Sequence, residues 1–221
     1  MSPGGWPAWL VPLVDAFAGV SAEQLSRYVP PPPSSARPSA VLMLFGEGGE
    51  GGEGPDLLLT ERSHHLRSHA GQLSFPGGSA DPEDGGPVDT ALREAREEVG
   101  LDPAGVEVIG SLPALWVPPS NFAVTTVLAW WRTQGPVGVV DPTEVASVLR
   151  VPLATLTDPA RRFTVRHPSG YTGPAFEVGD GLVLWGFTAG VVSRLFDVVG
   201  WGEPWDATRQ RDLPVSGGAR S

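Results

Sequence analysis

The stretch ALREAREEVGL (91–101) places three glutamates at spacings that chemistry can use. At 100° per residue on a helix, Glu94, Glu97 and Glu98 fall within about a third of a turn of one another, and Ala91, Leu92, Ala95 and Val99 take the neighbouring sector. One stripe is anionic and the next is apolar. Like charges four residues apart cost a helix roughly 0.2–0.5 kcal/mol per pair, which Arg93 and Arg96, off to the side, offset only in part. A solvated acidic face is the plain alternative. The residues upstream favour chemistry: a Gly-Gly turn, FPGG (75–78), leads through a polar loop with Asp81, Glu83 and Asp84 into the helix. Such a turn lets a backbone carbonyl approach a ligand closely. Several carboxylates facing one carbonyl make a hard-oxygen site of the kind that Mg²⁺ or Mn²⁺ occupies.

A second concentration of chemistry precedes the turn. LLLTERSHHLRSHAGQLSFPGG (57–78) holds two arginines, three histidines and the glycine pair, in a chain with 15 basic against 25 acidic residues and a net charge of −10. That balance opposes a phosphate backbone, so nucleic acid is not an expected partner. All the basic residues are arginine, so any cationic contact to a ligand is a guanidinium, suited to bidentate phosphate recognition. The absence of cysteine excludes disulfides, thiolate metal sites and a cysteine nucleophile, and fits a reducing, cytoplasmic setting. No positive charge precedes Arg27, so the N-terminal apolar stretch lacks the basic region of a signal peptide, and no apolar run reaches the roughly 20 residues of a membrane span.

The elements that must position these residues are short. With 221 residues, 29 Gly and 24 Pro, one core with many tight connections is expected. Residues 6–29 read as helical, with capping-box spacing in SAEQ (21–24), and PPPPSSARPS (30–39) as a stiff linker that ends that segment. Segments 40–45, 57–61, 106–112, 122–131, 162–167 and 182–186 read as strands. The Gly/Glu run between the first two reads as a hairpin loop. Residues 88–99 read as a helix ending at Gly100, and FTAGVVSRLFDVVG (187–200) as another. Strands on both sides of two helices give an α/β fold with a mixed β-sheet between helical layers.

Two adjacent motifs carry a family resemblance. GGSADPEDGGPVDTALREAREEVGL (77–101) resembles the Nudix box, and Arg93 to Leu101 agrees at every fixed position of its second half. Eight residues, where the general pattern has seven, separate Asp84 from Arg93, and Asp84 stands in place of a glutamate. The preceding segment resembles the marker of the coenzyme A pyrophosphatase branch at Leu58, Leu59, Thr60, Arg62, Ser63, Arg67, Gly71, Phe75, Pro76, Gly77 and Gly78. That branch resembles this chain in its longer loop and its aspartate as well.

The resemblance implies a Nudix-like α/β/α sandwich spanning 39–201, with 1–38 as a helical extension and Pro-rich linker and 202–221 as a loosely held tail. It implies metal-dependent hydrolysis of the pyrophosphate of coenzyme A, or of a short acyl-CoA, to 3′,5′-ADP and 4′-phosphopantetheine or its acyl form. Glu94, Glu97 and Glu98 would hold Mg²⁺ or Mn²⁺, with a carbonyl of Gly78 or Gly77 as a further ligand. Glu94 and Glu97 are thereby also catalytic, and Arg93 would orient a carboxylate. Arg62 and Arg67 would bind the anionic substrate; a salt bridge to the 81–84 loop is the alternative. Glu144 is a candidate general base, since a later loop often supplies an extra glutamate in this superfamily, with a carboxylate at a helix N-terminus as the alternative. The histidines at 64, 65 and 69 read as surface residues, and Trp116, Phe122 and Tyr171 as ligand-flanking or core aromatics. Another nucleoside diphosphate derivative, such as ADP-ribose, is the competing substrate. A silent binding module would have lost carboxylates that are all present here.

Overall fold

In the computed structural model, residues 5–26, 35–48, 54–66, 70–168, 170–179 and 181–213 are described. Strand β1 (Arg37–Glu47) shows why the sheet needs two covers: Leu42 and Leu44 enter one apolar cluster, while Met43 and Phe45 enter another on the opposite face. β1 and β2 (Pro55–Arg62) meet as an antiparallel hairpin at Phe45–Leu57 and then part. Two short strands fill the wedge. β3 (Leu73–Ser74) pairs with β2 at Thr60 and Glu61, and β4 (Gly77–Ser79) pairs with β1 at Ser39–Val41. β5 (Val106–Ser111) and β6 (Leu115–Val117) lie antiparallel on β7 (Phe122–Trp131), which runs parallel to β1. β8 (Val145–Pro152) closes the other side, antiparallel to β2.

One face of this mixed sheet is covered by α3 (Pro87–Val99), whose Ala91, Ala95 and Val99 pack on Leu42, Leu44, Leu58 and Val127. Asp89 in its first turn accepts from the Gly85 N–H, and Gly100 ends it at φ 70° in the left-handed region glycine tolerates. The other face is covered by α5 (Gly186–Val199), together with α1 (Val11–Ala16), α2 (Ala22–Leu25) and α4 (Leu153–Thr157). The layers are those expected, an α/β/α sandwich around a mixed sheet. A smaller sheet, β9 (Arg162–Arg166), β10 (Thr172–Gly179), β11 (Leu182–Leu184) and β12 (Gln210–Asp212), carries its own cluster of Phe163, Val165 and Ala175.

Some elements differ from expectation. The single helix read over 6–29 is α1, a 3₁₀ turn at Phe17–Gly19, and α2, whose Ser21–Gln24 capping box forms as its spacing suggests. These pieces sit in the main core: Leu10 and Leu13 are fully buried, Trp6 lies 5.8 Å from Trp130, and Trp9 stacks near Phe45 and Trp201. β8 and β10 were not anticipated, because VASVLRVP and TGPAFEVG lack a clean two-residue alternation. The chain after Gly202 adds β12, parallel to β9. The prolines at 30–33 and the loop centre at 49–53 lie outside the described residues. Among those described, no helix is long and apolar enough to cross a membrane.

Candidate active site

The glycine pair reaches the carboxylate helix because β4 is wedged between diverging strands. Gly77 sits at φ 153°, and a Cβ there would strike the Ala40 carbonyl and lie 2.6 Å from Val41 Cα. Only glycine lets this strand run so close to β1. Gly78 faces the helix: a Cβ on it would lie 2.6 Å from the Glu94 carboxylate. Its carbonyl accepts from the Ser39 hydroxyl at 2.6 Å, and in the β4–β1 ladder Gly78 stands opposite Ala40.

Arg93 ties this strand to the helix. Its guanidinium grips both oxygens of Asp84 at 3.0 Å, donates to the Ser79 carbonyl at 3.0 Å, and bonds Glu94 at 3.0 Å and Glu97 at 3.1 Å. Asp84 also accepts from the Asp81 N–H and the Thr90 hydroxyl. Arg93, then the Asp81 N–H, hold its carboxyl well below the usual carboxylate range. The substituted acidic residue of the motif is thus the anchor of the loop over α3. Sequence reading gave Arg93 an orienting role but missed that Asp84 is its main partner; the signal was an aspartate in a loop that folds back to the Arg93 turn.

The three glutamates occupy different environments. Glu97 is mostly solvent-exposed and is held by Arg93. Glu94 is largely buried, and burial raises its pKa against the pull of Arg93, with Glu97 and Glu144 raising it further. Glu98 is only 4% exposed, and its Oε2 accepts from the Gly77 N–H at 3.1 Å. Burial pushes it up to about 7; the Gly77 bond and Arg62 act downward, Glu94 and Glu144 upward. Glu144 contributes to the upward shift of both Glu94 and Glu98. It does not start a helix: residues 141–145 form a turn closed by Glu144 N–H and Val145 N–H to the Asp141 carbonyl, and the chain continues as β8. The helix N-terminus alternative for Glu144 therefore fails.

Arg62 ends β2 opposite Val145, and the next residue, Ser63, donates its N–H to the Glu144 carbonyl at 2.8 Å. Arg62 makes no ion pair among the described residues, and Arg67 lies outside them, as does His69. His64 and His65 are exposed, His64 Nε2 lying 3.1 Å from Glu61. Trp116 bonds Asn121 in the β6–β7 turn, Arg37 covers the Phe122 ring, and Tyr171 packs by Trp185 on the smaller sheet. Gly78 and Glu94 meet where β4 crosses α3, Glu98 is held by the Gly77 N–H, Arg62 and Glu144 act on Glu98 electrostatically, and Trp116, Phe122 and Tyr171 make the packing contacts just described.

The model of one protein family, the NUDIX domain, matches residues 36–169, more than half of the chain. The chain belongs to the Nudix family. A Nudix hydrolase of Yersinia enterocolitica, NudL, described as uncharacterized, is 38% identical over 151 residues, covering 64% of this chain and 72% of its own. NudL of Escherichia coli K12, also described as uncharacterized, is 38% identical over 155 residues, 64% of this chain and 73% of its own. A crystal structure of the Mycobacterium smegmatis Nudix hydrolase RenU superposes with a TM-score of 0.53 at 18% identity, over 81% of this chain and 98% of that one, which bears on the fold. The protein is accordingly a Nudix pyrophosphatase, a class of hydrolase that works with divalent metal ions on nucleoside diphosphate derivatives.

The residues present fit such an ion by their chemistry. Glu98 is a buried carboxylate without a direct cationic partner among the described residues, Glu94 is a second against the strand, and the Gly78 carbonyl is a third hard oxygen. Among the described residues no three acidic or histidine side chains stand together as an ion-holding group, and Arg93 pairs with both Glu94 and Glu97.

Proposed function

We propose that this Nudix enzyme hydrolyses the pyrophosphate of coenzyme A, or a short acyl-CoA, to 3′,5′-ADP and 4′-phosphopantetheine or its acyl form, with Mg²⁺ or Mn²⁺. What supports the reading is that Arg62 and Ser63 of the marker segment lie on the carboxylate cluster. The guanidinium of Arg62 acts on Glu98, and the Ser63 N–H holds the backbone of Glu144. A guanidinium that makes no ion pair among the described residues, near buried carboxylates, suits a substrate that brings both metal-binding phosphates and a further phosphate charge.

Glu94, Glu97, Glu98 and the Gly78 carbonyl would hold the metal. When bound, the ion polarises phosphate oxygens and lowers the pKa of a coordinated water. Arg93 keeps β4 and the Asp84 loop fixed on α3 through its bidentate grip. Arg62, with Arg67 of the same segment, pairs with substrate phosphate. The Glu144 carboxylate takes the proton of the attacking water. The test is an assay panel of CoA, acetyl-CoA, dephospho-CoA, ADP-ribose and a nucleoside triphosphate, each with Mg²⁺ or Mn²⁺ and products identified by mass. CoA or acetyl-CoA should have the highest kcat/KM; clear preference for ADP-ribose would sink the proposal.

A further inference from the structure

Beside the carboxylate cluster runs a groove of about 360 Å³, within the roughly 300–1,000 Å³ of small-molecule sites, and the mechanism above makes no use of it. One wall is the segment Val137, Gly138 and Val139; the other is β8 at Ala146, Ser147, Val148 and Arg150. Both walls begin at site residues. The Val140 N–H donates to the Glu98 carbonyl at 3.1 Å and the Gly138 N–H to the Val99 carbonyl at 3.0 Å, and Ala146 stands two residues beyond Glu144.

The chemistry of the groove is that of an uncharged ligand. Val137 and Val148 pack on the edge of the α3-side core. Arg150, the lining residue that carries charge, is spent: its guanidinium bonds the two oxygens of buried Asp56 at 3.2 and 2.7 Å and the Glu47 carbonyl at 3.1 Å. At the rim, Val139 and Val140 are 39% and 57% exposed, two of the three large exposed apolar residues among those described. Apolar surface left open beside an active site asks for an apolar cover.

We infer that this groove is the subsite for the non-nucleotide half of the substrate, an uncharged, flexible amide-bearing arm running from the pyrophosphate along β8. The inference rests on the CoA reading, and that arm is pantetheine there. The nucleotide half, with its phosphate charge, cannot replace it in a groove without a free cation, and instead lies toward Arg62. Gly138 lines the groove, no atom stands within 4 Å of where its Cβ would be, and its φ lies outside the left-handed region. A larger side chain there occupies ligand space without forcing the backbone.

The experiment uses the full chain and the two products as separate inhibitors of CoA hydrolysis. In Gly138→Leu, and in Val139→Asp at the exposed rim, inhibition by 4′-phosphopantetheine should weaken about tenfold or more while inhibition by 3′,5′-ADP stays within about twofold of wild type. Thermal melts of both variants establish that they fold, and either variant alone suffices. Equal weakening of both products, or of neither, overturns the assignment of the groove while leaving CoA hydrolysis standing. A wild-type enzyme that splits another diphosphate but not CoA overturns both readings, and that result is visible before any variant is made.

Discussion

Glu98 is where the electrostatic cost of this site is concentrated. Burial raises its folded-state pKa from 4.5 to about 7, so between those values the folded chain holds a proton that the unfolded chain has released. Unfolding then releases a proton, and stability falls as pH rises through that window, by up to about 3 kcal/mol in all. Glu94 is shifted in the same direction. Metal-free protein should therefore melt at lower temperature at pH 8 than at pH 5, and a divalent ion, binding the ionised carboxylates, should recover the loss. Glu98→Gln removes the charge and keeps the acceptor that Gly77 needs, so it should flatten the pH dependence of the metal-free melt and cut turnover by orders of magnitude. An unchanged slope in that variant would mean that the burden lies elsewhere. Glu97→Gln offers the contrast: mostly exposed and held by Arg93, it should lower turnover with little effect on stability. The three-glutamate stripe was legible from helical periodicity alone. That Glu98 is buried and Glu97 is not was not, because it depends on the strand laid beside the helix.

That strand belongs to the element scale. β4 exists because β1 and β2 separate, and its two glycines do different work. Gly77→Ala would drive a Cβ into the backbone of Ala40 and Val41 at a φ of 153°, so it should destabilise the protein substantially. The atoms nearest a Cβ on Gly78 are the carboxylate end of Glu94, which can swing aside, so Gly78→Ala should fold nearly as the wild type does and lose activity by displacing a carboxylate proposed to hold the metal. Melting temperature and kcat/KM measured together separate the two; loss of stability in both variants would mean that Gly78 too is a packing glycine. Long periodic elements such as α3, α5 and β7 could be read from the sequence. β3, β4 and β8 could not, since two- and three-residue strands have no period and the pattern of β8 reflects different neighbours on its two faces. The alternative weighed for Glu144, a helix start where there is a turn into β8, came from that gap.

At the scale of the whole molecule, the proline run at 30–33 suggests that what precedes it is separable, and the packing says otherwise. A stiff linker constrains distance; it does not prevent the segment beyond it from returning to the core. Here Leu10 and Leu13 are fully buried, Val20 and Leu25 nearly so, and Trp9 lies against Phe45 and Trp201 and donates to Glu47. Full burial of the two leucines alone corresponds to about 3–6 kcal/mol, a large share of the roughly 5–15 kcal/mol that holds a domain folded. Removing residues 1–26 would also take the Trp9 ring off Phe45 and the Trp6 ring off Trp130. The truncated chain should accordingly melt well below the full chain or be recovered insoluble, even though the matched family region begins only at residue 36. Soluble yield and melting temperature decide it. A truncation that melts with the full chain would show that these helices dock on a core already complete, and their tryptophans would then be covering a surface the hydrolase domain can leave bare.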